Sequence, residues 1–199
     1  MLYIIAIIAG ILAGVLAGGR IGNLLKFRFN KPIILILAFA IQSVASILGL
    51  KGIGFVNSCS LIIQGVVYTL LFIGFWLNRH YFGLCVVAVG GFLNAAVMML
   101  NGGKMPVDFS LLTSGVSTEA IELLKSGADG KHTAITESTR LVFLADVFHP
   151  PGILSWSMQV ISIGDMIVVL GLFVVVLEIV VYKELRVVNG KLGLVERVN

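Results

Sequence analysis

The sequence predicts an all-α protein, a polytopic membrane helical bundle of five spans with a partly helical extracytoplasmic cap. Two features of the composition indicate this class: 58% of the 199 residues are hydrophobic and only 12% are charged. The mean hydropathy of +1.06 excludes an ordinary soluble domain. An unpaired backbone amide or carbonyl in hydrocarbon costs several kcal/mol, so the apolar runs must form helices.

Five apolar runs have the length that a membrane span requires, because roughly 20 helical residues cross a hydrocarbon core of about 30 Å. The first run has no basic residue ahead of it, so we expect it to be retained rather than cleaved as a signal peptide. Residues 1–199 then form one integral membrane domain. The predicted spans are Leu2–Gly18, Pro32–Leu50, Ser60–Leu77, Tyr81–Leu100 and Ser162–Tyr182.

The basic residues of the short loops predict the orientation. Loop 20–31 contains four basic residues and no acid, loop 78–80 contains Arg79, and tail 183–199 contains four basic residues against two acids. Five spans place these three segments on one side, which the positive-inside rule makes cytoplasmic. We therefore expect a protein of the cell membrane with its amino terminus outside and its carboxyl terminus in the cytoplasm.

The formal net charge of +4 does not indicate nucleic-acid binding, because the basic residues lie at the ends of the spans, where they face lipid phosphates. The expected partners are membrane lipids, and a partner membrane protein or a second copy of the chain is possible. Two cysteines, Cys59 and Cys85, fall near opposite faces of the membrane and are expected to be free thiols.

Catalysis by a cysteine and histidine pair is disfavoured, because five helical residues separate His80 from Cys85 by about 140° around the axis. The three histidines lie on two sides of the membrane with no ligand spacing between them. No metal and no cofactor are expected.

The loop at residues 101–161 is the one sizeable segment outside the membrane. VDFSLLTSG and STEAIELLKSG each predict a short helix that ends at Gly115 or Gly127. TESTRLVFLADVFHPPG has apolar residues at Leu141, Leu144, Ala145 and Phe148, which predicts a helix that lies on the bilayer surface or packs over the spans and ends at the prolines.

Several short motifs carry a family resemblance. In chain order they are GGR (18–20), WLNR (76–79), NGGKMPV (101–107), KH (131–132), TRLVFLADV (139–147) and SIGD (162–165). Their order and placement resemble a family of small multi-pass bacterial membrane proteins, common in clostridia and their relatives, whose function is uncharacterised. The resemblance covers nearly the whole chain. It implies the helical fold and a bacterial inner-membrane location, and it implies no activity.

The first candidate site lies where the fourth span ends, at Asn101, Gly102, Gly103 and Lys104. Two glycines permit positive φ angles, which lets successive amides point into one concavity beside the lysine cation. Such a nest suits a phosphate or carboxylate. The alternative is that the glycines end the helix, Lys104 extends to the headgroups, and Pro106 begins the next helix.

A second candidate is Asp165, near the start of the fifth span, as a proton acceptor or cation ligand. Ser162 and Asp165 also fit the capping box of a helix amino terminus. Asn94 lies about two turns deeper than Asn101 on nearly the same face, and polar residues in a span usually face protein or a cavity. Glu178 is expected only to reach the cytoplasmic interface.

The third candidate is the basic and acidic stretch of the cap, with Lys131, His132, Arg140 and Asp146. If it folds over the outer end of the bundle, these groups converge with Lys104 and Asp165 on a pocket the size of a headgroup. The alternative is a solvated salt-bridge face. The candidate ligand-binding residues are Asn94, Asn101, Gly102, Gly103, Lys104, Lys131, His132, Arg140, Asp146 and Asp165.

Three classes of function follow. The favoured class is a binding or accessory protein that recognises an anionic lipid headgroup, a small anionic ligand or a partner membrane protein at the outer face. The second is a membrane-embedded enzyme that acts on a lipid-linked substrate, with His132, Asp146 or Asp165 as acid or base. The third is a small transporter, which is disfavoured because the polar residues in the middle of the spans are uncharged.

Overall fold

The structure is a computed structural model that describes residues 2–111, 122, 130–149 and 160–181, and the backbone of 183–188 and 191–196. We number the helices and strands of these residues in chain order. The helices are α1 (Leu2–Leu16), α2 (Pro32–Leu50), α3 (Gly54–Ser58), α4 (Ser60–Leu77), α5 (Phe82–Leu100) and α6 (Ile163–Val181). The strands are β1 (Met105–Val107), β2 (His132–Ala134), β3 (Lys183–Val188) and β4 (Lys191–Glu196).

All five predicted spans are helical, with ends that differ from the prediction by at most two residues. Four of them, α2, α4, α5 and α6, are long and apolar enough to cross a membrane. Helix α1 is apolar but has only 15 residues, because the chain leaves the helix before Gly18, whose φ is +85°. The chain is therefore a membrane protein by the length and composition of these four helices.

Helices α5 and α6 form the centre of the bundle and run antiparallel in close contact. Glycines spaced by seven residues make this approach possible, Gly83 and Gly90 on α5 and Gly164 and Gly171 on α6. A Cβ atom at any of the four would collide with backbone atoms of the other helix. Small residues have this role in membrane helix pairs, where close packing replaces the hydrophobic effect.

The other long helices flank this pair. Helix α1 packs on α6, where Gly10 and Gly14 contact Val176 and Val180. Helix α4 packs on α5, and α2 lies outside α4 with Leu35 against Gly74. In the described part of the chain α1 and α4 make no comparable contact with each other, so they form the two walls of a cleft above α5 and α6.

The basic loops and the end of α6 lie at one end of the bundle. The backbone N–H of Asn30 donates to Oδ1 of Asn78 at 2.7 Å, and Asn78 returns a bond to the carbonyl of Asn30 at 3.0 Å. Asn23 donates to the carbonyl of Val180 at 2.9 Å. These bonds join loops 20–31 and 78–80 and the last turn of α6.

Glu178 has a larger role than reaching the interface, and that expectation is wrong. Its side chain is 0% exposed, and its oxygens accept the backbone N–H groups of Phe82 at 3.1 Å and Gly83 at 2.9 Å. These are unpaired donors of the first turn of α5. A carboxylate at this position also interacts favourably with the helix dipole.

The cap differs from the all-α prediction. Pro106 does not begin a helix: it lies in β1, which pairs in parallel with β2 in the register Met105 to His132. Of the first predicted cap helix, Val107 lies in β1 and Phe109–Leu111 form a single 3-10 turn. Residues 112–115 of that helix, and the second helix apart from Glu122, lie outside the described residues.

The segment TRLVFLADV also differs, because it contains one 3-10 turn at Val142–Leu144 instead of a surface helix. Its last residues continue as extended chain, and Asp146 bonds to β1 through its backbone. Apolar spacing alone could not reveal this pairing. The tail is a second departure, since β3 and β4 form an antiparallel hairpin directly after α6.

Candidate functional site

A cleft of about 550 Å³ opens at the end of the bundle that holds the cap. Its walls are α1 and α4, and its floor is formed by α5 and α6. Apolar side chains line the deeper part, including Leu71, Phe75 and Val87. Polar side chains line the end next to the cap: Tyr3, Tyr68, Asn94, Lys131, His132, Asp146 and Asp165. The cleft therefore has a polar end and an apolar body.

The capping box predicted at the start of α6 is present. The Asp165 N–H donates to Oγ of Ser162 at 2.9 Å, and the Ser162 N–H donates to Oδ2 of Asp165 at 3.3 Å. The Ser162 hydroxyl then donates to Oδ1 of Asn94 at 2.9 Å. The cap thus continues across the helix contact into α5.

Asp165 accepts two further side-chain bonds at Oδ1. One comes from Nδ2 of Asn94 and one from the hydroxyl of Tyr3, each at 3.0 Å. Tyr3 lies on α1, so this carboxylate connects α1, α5 and α6. Both of its oxygens already accept hydrogen bonds from the protein, which suits a structural role at the edge of the cleft.

The strands of the cap bring two distant segments to the cleft. β1 lies between β2 on one side and the Asp146 segment on the other. The Met105 N–H donates to the carbonyl of Lys131 at 2.7 Å, and the Asp146 N–H donates to the carbonyl of Pro106 at 3.0 Å. Phe148 and Ile161 exchange backbone bonds at 2.9 and 3.0 Å, which fixes this segment beside the start of α6. His132 and Asp146 therefore line one cleft although 14 positions separate them.

Asp146 differs from Asp165 in its hydrogen bonding. Its side chain is 7% exposed, and Oδ1 has no hydrogen-bond partner in the described structure. Burial raises the pKa of the Asp146 carboxyl to about 7, the charge of Asp165 also raises it, and Lys131 opposes the shift. A carboxyl with this pKa is partly ionised at neutral pH, and its side chain lines the cleft with one buried oxygen that receives no hydrogen bond from the described residues.

The glycines and lysine of the first candidate site do not line this cleft. Gly102 and Gly103 have φ angles of +70° and +81°, as a helix end requires. Gly103 packs against the backbone of Ser60 and Leu61. The Lys104 ammonium donates to Oδ1 of Asn57 at 3.0 Å, so it connects the end of α5 to α3. Lys104 is therefore not among the residues that line the cleft with Asp165.

Asn101 and Arg140 lie together but outside the cleft. Nδ2 of Asn101 donates to the carbonyl of Arg140 at 2.9 Å, and the Arg140 N–H donates to Oδ1 of Asn101 at 2.9 Å. This reciprocal pair holds the cap onto the end of α5. The Arg140 side chain itself is exposed. The expected convergence is thus partial: Asn94, Lys131, His132, Asp146 and Asp165 share one cleft, whereas Lys104 and Arg140 do not join them.

The cleft residues that the sequence-based candidates did not include are led by Tyr3, Tyr68 and Gly91. Tyr3 lies near the start of a span, a position that usually indicates only membrane anchoring, and Tyr68 lies in the middle of α4. Gly91 lies on the floor, where a Cβ atom would meet no other atom within 4 Å. Its neighbour Gly90 is required for helix packing, so only the three-dimensional structure separates their roles. Among the described residues no three His, Cys, Asp or Glu side chains come together as metal ligands.

Comparison with known proteins identifies the family of the chain. Residues 26–177 match a family of unknown function, DUF5317, and the chain belongs to that family. A protein of Thermotoga maritima described as uncharacterized is 34% identical over 157 residues, which cover 78% of this chain and 79% of that protein. No solved structure matches the chain.

Proposed function

We propose that this member of the DUF5317 family is an integral membrane binding protein that holds an amphiphile in the cleft between α1 and α4. An amphiphile has a polar head and a hydrocarbon chain, and the cleft has the corresponding division. The observation that carries the proposal is the buried carboxyl of Asp146 at the polar end, above walls formed by Leu71, Phe75 and Val87. Pockets of this kind combine an apolar lining with a few polar groups that orient the ligand.

The proposal includes a membrane topology. The four long apolar helices and the shorter α1 all cross the bacterial cell membrane, with the amino terminus and the cleft on the outer side. Loops 20–31 and 78–80 and the end of α6 are joined at the opposite end, which supports this orientation because their basic residues then face the cytoplasm. The amphiphile enters sideways from the outer leaflet, between α1 and α4.

An anion-binding nest at residues 101–104 is less well supported than the cleft. The Lys104 ammonium donates to Asn57, and Gly103 lies against the backbone of α4. A phosphate at this position would have to compete with those contacts. The polar end of the cleft instead presents an acceptor that lacks a bond from the described residues.

The test uses a residue that fills the cleft without disturbing the helices. Gly91→Leu adds a side chain at a floor position where a Cβ meets open space. Gly65→Leu is the matched control, since Gly65 is also a helical glycine with open space around a Cβ, but it lines a separate apolar groove between α4 and α5. Both changes favour the helix, because glycine is about 1 kcal/mol worse than the best helix formers.

Each protein is reconstituted in nanodiscs made from equal amounts of phosphatidylethanolamine and phosphatidylglycerol. Lipid that stays on the protein after release from the disc is then counted by native mass spectrometry. We expect the wild type and Gly65→Leu to retain a lipid and Gly91→Leu to lose it. Equal retention by all three proteins, each with an unchanged Tm, would remove the cleft as the binding site.

A second function is favoured by the burial of Asp146 at the edge of the cleft, which raises the pKa of its carboxyl to about 7. A carboxyl that titrates in this range can act as a general acid or base, and His132 lines the same cleft. In this alternative the chain is an enzyme that acts on a lipid-linked substrate. Conversion of the retained lipid over hours, seen as a mass change that D146N abolishes, would favour it over simple binding.

A further inference from the structure

We infer that the head of the amphiphile is a primary ammonium group that donates hydrogen bonds to the Asp146 carboxylate. The inference rests on the proposed function, because it names the chemical class of the molecule that the cleft binds. It also reverses the charge of the ligand that the sequence indicates, since the glycines and Lys104 at the end of α5 suggest an anion.

The hydrogen-bond geometry distinguishes the two acids of the cleft. Asp165 accepts bonds from Tyr3 and Asn94 at Oδ1 and from the Ser162 backbone at Oδ2. Asp146 also belongs to the polar end of the cleft. It is only 7% exposed, yet its Oδ1 accepts no hydrogen bond from the described residues. Asp146 is therefore the group that recognises the ligand, and Asp165 holds the helices together.

A buried oxygen without a donor loses its hydration without replacement, which is unfavourable for a neutral carboxyl and much more so for a carboxylate. The Asp146 side chain lines the cleft, so a cationic N–H donor that bonds to the carboxylate there offsets this cost for the ionised form. Asp165 lies in the same cleft, so a second negative charge also attracts a cation to this end. A head group with a bare phosphate or carboxylate would instead face two acids.

The position of Asp146 is fixed before any ligand arrives. Its N–H donates to Pro106 and its carbonyl accepts from Asp108, each at 3.0 Å, so the backbone is held against β1. Lys131 is exposed at the rim of the same cleft. An aminoethyl phosphate head has an ammonium and a phosphate. Its ammonium would bind Asp146, and its phosphate would lie toward Lys131. Long-chain amines share the ammonium and lack the phosphate.

Binding of four dodecyl probes tests the head group, with the full chain held in amphipol and titrated in a calorimeter. The probes are dodecylammonium, dodecyltrimethylammonium, dodecanol and dodecyl phosphate. The trimethyl probe keeps the charge but has no N–H donor, and dodecanol keeps a donor without charge. We expect dodecylammonium to bind at least about tenfold more tightly than each of the others, since it alone brings both a positive charge and N–H donors to the carboxylate.

Two variants connect the result to Asp146. D146N removes the charge with little change of shape and should weaken dodecylammonium binding about tenfold or more, to the level of dodecanol. D108N is the matched control, an Asp to Asn change in the cap outside the cleft, and should bind as the wild type does. A circular dichroism spectrum and Tm for each variant separate loss of binding from loss of fold.

The lipid source is resolved in nanodiscs of phosphatidylethanolamine or of phosphatidylcholine, whose head is the N-methylated counterpart. Retention of the first lipid alone identifies a membrane aminophospholipid. Binding of dodecylammonium without retention of either lipid identifies a diffusible long-chain amine. If dodecylammonium and dodecyltrimethylammonium bind equally, or if D146N binds as the wild type does, the ammonium assignment is wrong. The cleft proposal still stands in that case if Gly91→Leu abolishes binding of the probes.

Discussion

Asn94 of α5 and Asp165 of α6 are joined by a hydrogen bond of 3.0 Å, in which the Asn94 amide donates to Oδ1 of the carboxylate. The other end of the Asn94 amide accepts from the Ser162 hydroxyl at 2.9 Å. One asparagine in a span therefore completes the amino-terminal cap of a neighbouring helix. This relationship connects the stability of the bundle to the edge of the cleft.

Replacement of the cap serine should measure that connection. Ser162→Ala removes the acceptor for the Asp165 N–H and the donor for Asn94, in a side chain that is 0% exposed. We expect a loss of about 1–3 kcal/mol, the range for a helix cap together with an orphaned polar group. Thermal unfolding in mild detergent measures it as a lower Tm.

The control for this variant is Ser58→Ala. The Ser58 hydroxyl makes an exposed bond to the Gly54 carbonyl within its own short helix, so its removal should change the free energy of unfolding by no more than about 0.5 kcal/mol. Equal effects of the two alanine substitutions would contradict a special role for the bonds between α5 and α6.

The two glycines after α5 should respond differently to alanine. Both have positive φ, which is unfavourable for alanine by roughly 1–2 kcal/mol. At Gly102 a Cβ meets nothing within 4 Å, whereas at Gly103 it collides with the backbone of Ser60 and Leu61. We expect Gly102→Ala to lower Tm modestly and Gly103→Ala to prevent the cap and α4 from packing.

Expression level and the elution profile in size-exclusion chromatography distinguish the two outcomes. If residues 101–104 instead formed a ligand nest open to solvent, both alanine variants would fold with similar Tm. The structure predicts a large difference between them, because only the second glycine is in contact with another helix.

The stability of the folded chain should fall as pH rises from about 4 to about 7. The Asp146 carboxyl has a pKa of about 7 in the folded state against an ordinary value of 3.8, so between these values the folded state binds more protons than the unfolded state. The free energy of unfolding then decreases with pH. A shift of this size is on the order of 4 kcal/mol at most.

D146N should abolish this contribution, since it has no proton to release in that range. Tm measured in detergent across the pH range should therefore fall more steeply for the wild type than for D146N. D108N retains Asp146 and should follow the wild type. Parallel curves for wild type and D146N would show that Asp146 titrates normally.

Glu178 should contribute to stability as the cap of α5. In Glu178→Gln one carboxylate oxygen becomes an NH₂ group that cannot accept a bond from Phe82 or Gly83, so one buried N–H is left without an acceptor. The expected loss is roughly 1–3 kcal/mol. Glu137→Gln, at an exposed position of the cap, is the matched control and should leave Tm nearly unchanged.

The sequence predicted the five apolar helices to within two residues at each end, because lipid imposes one rule along the whole chain: apolar runs must be helices. It also predicted the capping box at Ser162 and Asp165, which depends on residues only three positions apart. The strands of the cap were missed, because β1 pairs with residues that lie 27 positions away and at Asp146. Their pairing depends on tertiary contacts, which local apolar spacing does not record.

The candidate site was predicted only in part, because its residues also meet through tertiary contacts. Asp146, His132 and Lys131 were candidates because their side chains can bind a polar ligand. The parallel strand pairing of the cap brings them to one cleft. Lys104 and Arg140 have equally suitable chemistry, but the first donates to Asn57 and the second is held at its backbone by Asn101. Glu178 was underestimated because a carboxylate near a helix end commonly reaches water.

The two carboxylates of α6 have a joint mechanical consequence. Asp165 binds Asn94 near one end of α5, and Glu178 binds Phe82 and Gly83 at the other end. A shift of α6 along α5 by one turn, about 5.4 Å, would break the bonds at both ends at once. These bonds fix the position of α6 along α5. The cleft therefore widens by an outward tilt of α1 and α4 relative to this helix pair.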